Sequence, residues 1–164
     1  MTNIYLIGFM GAGKSTVAKE LASKTGARRI EMDQMIVEQQ GMAISEIFEK
    51  YGEEHFRELE TELLRSFLKE ENLVVSCGGG SVLRDENARL MKESGRIVLL
   101  TAAPETIYER VRHSTERPIL NGNMNVAFIR ELMEKRRERY ETVADQTIAT
   151  DGKTAAEICR EILM

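Results

Sequence analysis

Residues 8–16 read Gly-Phe-Met-Gly-Ala-Gly-Lys-Ser-Thr, a glycine, four residues, then Gly-Lys-Ser. These types at this spacing form a phosphate cradle. Glycines let the backbone fold tightly around phosphate oxygens and turn its N–H groups toward them. The lysine reaches the β and γ phosphates, and the serine hydroxyl ligates Mg²⁺. A helix opening at the lysine adds the positive end of its dipole. The chemistry implied is nucleoside triphosphate handling, with Gly11, Ala12, Gly13, Lys14, Ser15 and Thr16 as the contacts. A GTPase switch normally carries Asn-Lys-x-Asp to read its base, and no Asn-Lys pair occurs. Motor and transporter ATPases need larger chains, so a small-molecule kinase fits better.

Two arginines stand where apolar residues are expected. At about 100° per residue, Phe56, Leu59, Leu63, Leu64 and Phe67 share one arc of a helix, with Glu60 inside it and Arg57 at its edge. A carboxylate there is costly unless paired, and an arginine one turn earlier can pair it. Structural pairing and orientation of Arg57 toward an anionic substrate both satisfy that pattern. Later, Ile129, Leu132, Met133, Tyr140 and Val143 form a stripe with Arg136 at its centre, while Arg137 and Arg139 fall away from it. A central arginine must meet a carboxylate or phosphate, or snorkel out. Two such arginines on different helices would clamp a carboxylate in a planar, bidentate manner. Gly78-Gly79-Gly80 follows an apolar run, at the kind of strand end where open α/β sheets bind ligands.

The elements that must position these residues alternate. Short apolar runs at 3–7, 28–32, 73–77, 96–101 and 146–150 read as strands. Helical patterns cover 13–24, 33–40, 44–51, 53–70, 85–93, 104–112, 125–143 and 153–163. Strand–helix alternation predicts an α/β protein with a parallel sheet. Residues 33–70 are too long for a simple crossover and read as a helical insertion. Residues 113–123, rich in Ser, Thr, Arg, Asn and Gly, read as a mobile loop that could act as a lid. With 164 residues, no internal repeat and no linker, one domain over 1–164 is expected.

Lys and Arg total 23 against 27 Asp and Glu, a formal net charge of −4, which gives no footprint for nucleic acid or an anionic membrane. The 42% apolar and 30% charged fractions suit a folded globule. Cys77 and Cys159 match no zinc spacing or redox pair, which excludes a disulfide scaffold and favours a reducing compartment. No apolar run approaches the ~20 residues of a membrane span, and no signal peptide is visible. A cytoplasmic monomer is the expectation.

Taken together the motifs resemble those of the shikimate kinases. Residues 8–16 are similar to that family's P-loop, including the Gly-Phe-Met-Gly start that generic P-loops lack. Phe56-Arg57-Glu58-Leu59-Glu60 resembles its Phe-Arg-x-x-Glu motif, and Gly78-Gly79-Gly80 its triple glycine. Arg117-Pro118-Ile119-Leu120 resembles its lid, and Arg136 with Tyr140 its arginine helix. The resemblance implies a three-layer P-loop kinase fold of the nucleoside-monophosphate-kinase type, with a five-stranded parallel sheet in order 2-3-1-4-5. It implies Mg²⁺-dependent transfer of the ATP γ-phosphoryl group to the 3-hydroxyl of shikimate, a step toward chorismate and the aromatic amino acids. It further implies that Asp33, Arg57, Gly78, Gly79, Gly80 and Arg136 bind shikimate, and that Arg110, Arg117 and Lys153 bind ATP. Lys14, Asp33 and Arg117 would then be catalytic, with Ser15 a direct metal ligand and Glu31 and Asp33 acting through water. Where the family usually has Asp-x-Asp, this chain reads Glu31-Met32-Asp33. Another small-acid kinase of the same fold, such as a gluconate kinase, and a non-catalytic nucleotide-binding module are the alternatives.

Overall fold

Ile4, Tyr5, Leu6 and Ile7 form an unbroken buried run, and that run is β1 (Asn3–Ile7), the middle strand of the sheet. A strand covered on both faces needs continuous rather than alternating apolar residues. Parallel partners flank it, β3 (Leu73–Ser76) on one side and β4 (Gly95–Thr101) on the other. Beyond them lie the edge strands β2 (Arg28–Glu31) and β5 (Gln146–Ala149). The order is β2-β3-β1-β4-β5, the expected one, with all four pairings parallel. The structure, a computed structural model, describes residues 2–112 and 125–164. The proposed lid at 113–123, with Arg117, lies outside those residues.

Helices connect and cover the strands: α1 (Lys14–Thr25), α2 (Met32–Gln40), α3 (Ile44–Tyr51), α4 (Glu53–Ser66), α5 (Asp85–Ser94), α6 (Pro104–Val111), α7 (Val126–Val143) and α8 (Ala155–Leu163). Three of them, α2, α3 and α4, occupy the long segment between β2 and β3. Start signals are local. Asn125 accepts the Phe128 N–H at the head of α7, and Thr154 with Glu157 closes a capping box on α8. That box starts α8 at Ala155 rather than at 153, because Thr154 is committed as its cap.

Two further boundaries differ from the periodicity for tertiary reasons. The α4 pattern runs to residue 70, but the helix ends at Ser66 and tightens into a 3₁₀ turn, Phe67–Lys69, with Phe67 buried. Asn3 on β1 fixes that exit: its Nδ2 donates to Glu70 O at 3.0 Å and its Oδ1 accepts the Leu73 N–H at 3.0 Å. The second strand stops at Glu31, and Met32, fully buried, already belongs to α2. No turn separates them, so Glu31 and Asp33 sit at the strand–helix junction. A second 3₁₀ turn, Ser81–Leu83, follows the triple glycine and has no periodic signal.

Candidate active site

The loop between β1 and α1 wraps as the motif requires. Gly8 has φ 144°, and a Cβ there would collide with Leu100 O, so only glycine fits. Lys14 Nζ donates to Gly8 O at 2.6 Å, curling the lysine back over its own loop. Ser15 Oγ donates to Glu31 Oε1 at 2.5 Å, joining the start of α1 to the end of β2. Arg110 on α6 donates to Gly11 O at 2.9 Å. Thr150, just past β5, shares its hydroxyl proton between Ala12 O at 3.1 Å and Thr101 O at 2.9 Å. Three carbonyls of the loop are thus tied down, and the Ala12 N–H is held by Phe9 O at 3.1 Å. Burial pushes the Cys77 thiol up, which excludes it as a nucleophile at neutral pH.

Opposite the loop, three helices converge on residues 78–80. A Cβ at Gly78 would lie 2.8 Å from Glu60 Oε2 and 3.0 Å from Asp33 Oδ1; one at Gly79, 3.2 Å from Arg136 Nη1; one at Gly80, 2.6 Å from Arg57 Nη2. None of the three has a positive φ. They are glycines because charged side chains from α2, α4 and α7 press on the backbone. Below them, Thr61 Oγ1 donates to Asn87 Oδ1 at 2.6 Å, and Asn87 Nδ2 donates to Ser81 O at 2.7 Å. That buried relay ties α4, which carries Arg57, to the end of the glycine loop.

The two arginines differ in their partners. Arg57 donates to Glu60 Oε1 at 2.8 Å and to Glu53 Oε2 at 3.3 Å, both on its own helix. Glu60 is wholly buried, and burial, outweighing the opposing pull of Arg57, raises its carboxyl to about 7. Arg136 is 6% exposed, and its buried Nη1 has no hydrogen-bond partner among the described residues. A buried guanidinium with an open donor is half of an ion pair, and its complement is an anion.

One cavity of about 990 Å³ holds both halves, lined by Lys14, Ser15, Asp33, Arg57, Gly79 and Arg136 among others. Of the residues proposed from sequence, Gly11, Gly13, Thr16, Glu31, Gly78, Gly80 and Arg110 also line it. Ala12 does not, being buried behind the loop. Lys153 does not either; its ammonium pairs with Glu161 Oε2 at 2.9 Å. Sequence reasoning missed the apolar wall, where Ala43, Ile44 and Phe48 border the cavity. They lie at the start and along one side of α3 (Ile44–Tyr51), and no motif in the sequence singles them out.

The donor set suits Mg²⁺. A serine hydroxyl and an adjacent carboxylate beside a phosphate loop match a cation that keeps several waters and is held largely by the nucleotide. Glu31 Oε2 is buried with no hydrogen-bond partner among the described residues, an acceptor open to such water. The described residues contain no cluster of three or more His, Cys, Asp or Glu that could cage a metal.

A family model described as Shikimate kinase matches residues 10–164. The chain belongs to the shikimate kinase family. A shikimate kinase from Persephonella marina is 47% identical over 163 residues, covering 99% of this chain and 98% of that protein. Among solved structures, a shikimate kinase from Acinetobacter baumannii in complex with shikimate has a TM-score of 0.94 at 35% identity, covering 99% of this chain and 91% of that one. By contrast, a gluconokinase from Sinorhizobium meliloti reaches a TM-score of 0.60 at 21% identity over 99% of this chain and 89% of that one, a likeness of fold alone. As a shikimate kinase family member, the chain is an ATP-dependent small-molecule kinase. Among the described residues no helix is long and apolar enough to cross a membrane.

Proposed function

We propose that this chain transfers the γ-phosphoryl group of ATP to the 3-hydroxyl of shikimate. The observation that carries the acceptor half is Arg136, a buried guanidinium with an open donor in the cavity it shares with Lys14. Arg136 and Arg57 grip the substrate carboxylate, which fixes the hydroxyl that faces the nucleotide. Asp33 hydrogen-bonds that hydroxyl and takes its proton as the new P–O bond forms. Lys14 and the loop N–H groups hold the phosphates and spread the charge on the transferring group, whose loose transition state needs positioning and neutralisation rather than covalent help. Ser15 would hold Mg²⁺, with Glu31 and Asp33 supporting it through water, and the ion would neutralise charge on the phosphates. Arg117, which lies outside the described residues, would add a further positive charge to the phosphates. Arg110 lies toward the adenine. Residues 33–70 are the acceptor-binding insertion of a single-domain cytoplasmic monomer.

The test is ADP release with shikimate, with gluconate and with no acceptor. Turnover that requires shikimate supports the proposal. Equal turnover with gluconate defeats the acceptor assignment, and Lys14→Ala with undiminished turnover in a folded protein defeats the phosphoryl-transfer role.

A further inference from the structure

The side chain of Phe9, second residue of the P-loop, is 3% exposed and lies against the other half of the site. The Arg136 guanidinium carbon stands 5.7 Å from the centroid of the Phe9 ring, within cation–π range. Phe9 does not line the large cavity. It lines a separate one of about 150 Å³ with Leu100, Met133 and Tyr140. The guanidinium therefore has the substrate cavity on one side and the ring behind it. Among the described residues no carboxylate lies within the 4.0 Å of an ion pair to Arg136. Its head meets instead the Phe9 ring, Tyr140, and the backbone beside Gly79, whose Cβ position is 3.2 Å from Nη1 and 3.6 Å from Met10 N.

We infer that Phe9 is a positioning residue for the acid-binding arginine, holding Arg136 aimed into the cavity by the negative face of its ring. A ring serves this purpose where a carboxylate would not. It attracts the cation without neutralising it and takes none of its N–H donors, so the full charge and the fork stay available to a ligand. A carboxylate partner would have to be displaced by each incoming substrate. Because Phe9 adjoins Gly8, whose carbonyl receives Lys14, one short stretch of backbone sets both the phosphate lysine and the carboxylate arginine. The inference rests on the proposed binding of shikimate by Arg136.

The experiment replaces Phe9 by phenylalanines carrying one, two and three ring fluorines, introduced at that codon alone, beside Phe9→Leu. Fluorine drains the face of the ring while its packing is largely kept. Shikimate and ATP dissociation constants are measured by calorimetry. The expected result is a stepwise rise in the shikimate constant with fluorine number, about 5- to 30-fold in Phe9→Leu, with the ATP constant moving less than about twofold across the fluorinated series. A shikimate constant that stays flat across that series overturns the inference, as does an equal rise for both ligands, since a packing role would ignore the charge on the face. Wild-type protein that binds no shikimate overturns the acceptor reading instead, so the two failures are distinct. Should Phe9→Leu not fold, the fluorinated series decides alone.

Discussion

Glu60 presents Oε1 to Arg57 Nη1 at 2.8 Å, three residues apart on one helix, and the carboxylate is the more deeply buried of the two. Its burial dominates its titration, holding the carboxyl at about 7 against an ordinary 4.5. Protonation is therefore favoured in the folded state. The stability this contributes is fully present below the unfolded value of 4.5 and is lost as pH rises through about 7. Urea unfolding from about pH 5 to about pH 8 should show wild-type stability falling more steeply than that of Glu60→Gln. Parallel curves would mean that Glu60 does not titrate in this window.

The glycine loop predicts an order of sensitivity. A methyl at Gly80 meets the Arg57 guanidinium at 2.6 Å, and that head is pinned by two carboxylates. A methyl at Gly79 meets Arg136 Nη1 at 3.2 Å, where a few tenths of an ångström suffice. Gly80→Ala should raise the shikimate KM about tenfold or more, in keeping with about 1–3 kcal/mol for overpacking, and Gly79→Ala should raise it less. The ATP KM is the internal control. The reverse order would show that the loop yields more easily than the side chains.

Arg136→Lys keeps the positive charge and loses the planar fork. Its shikimate dissociation constant should rise about tenfold or more, with ATP affinity changed less than about threefold. Calorimetry with each ligand separates the cases, and equal losses would assign Arg136 to the fold.

Glu31 receives the Ser15 hydroxyl at 2.5 Å, so it orients a proposed metal ligand directly. Glu31→Ala should raise the Mg²⁺ concentration for half-maximal rate by about fivefold or more, whereas Glu31→Asp retains most activity through a bridging water. Asp33→Ala should stay inactive at saturating metal, because its proposed partner is the acceptor hydroxyl. A wild-type Mg²⁺ titration in Glu31→Ala would remove Glu31 from the metal's surroundings.

Much of this is legible in the sequence. The central strand and the phosphate loop carry fixed spacing and continuous apolar runs, and both fell where the pattern put them. Arg136 was found by its phase, since burial at the centre of a stripe is a property of one helix. The pairing of each glycine at 78–80 with a different charged side chain was not legible, because three helices far apart in sequence create it. The early end of α4 depends on Asn3, 67 residues from Glu70. Nor does the sequence show that Lys153 pairs with Glu161 Oε2 at 2.9 Å.

The floor at residues 78–80 has a bearing on inhibitor escape. A binding surface made of side chains can be altered residue by residue, but here the surface is glycine main chain, and an added Cβ crowds Asp33, Glu60, Arg136 or Arg57. An inhibitor anchored on those peptide units would therefore confront the enzyme with a poor choice. Substitutions that dislodge it also disturb Arg57, Arg136, Asp33 or Glu60, so resistance would have to arise elsewhere in the lining, as at Ile44 or Phe48.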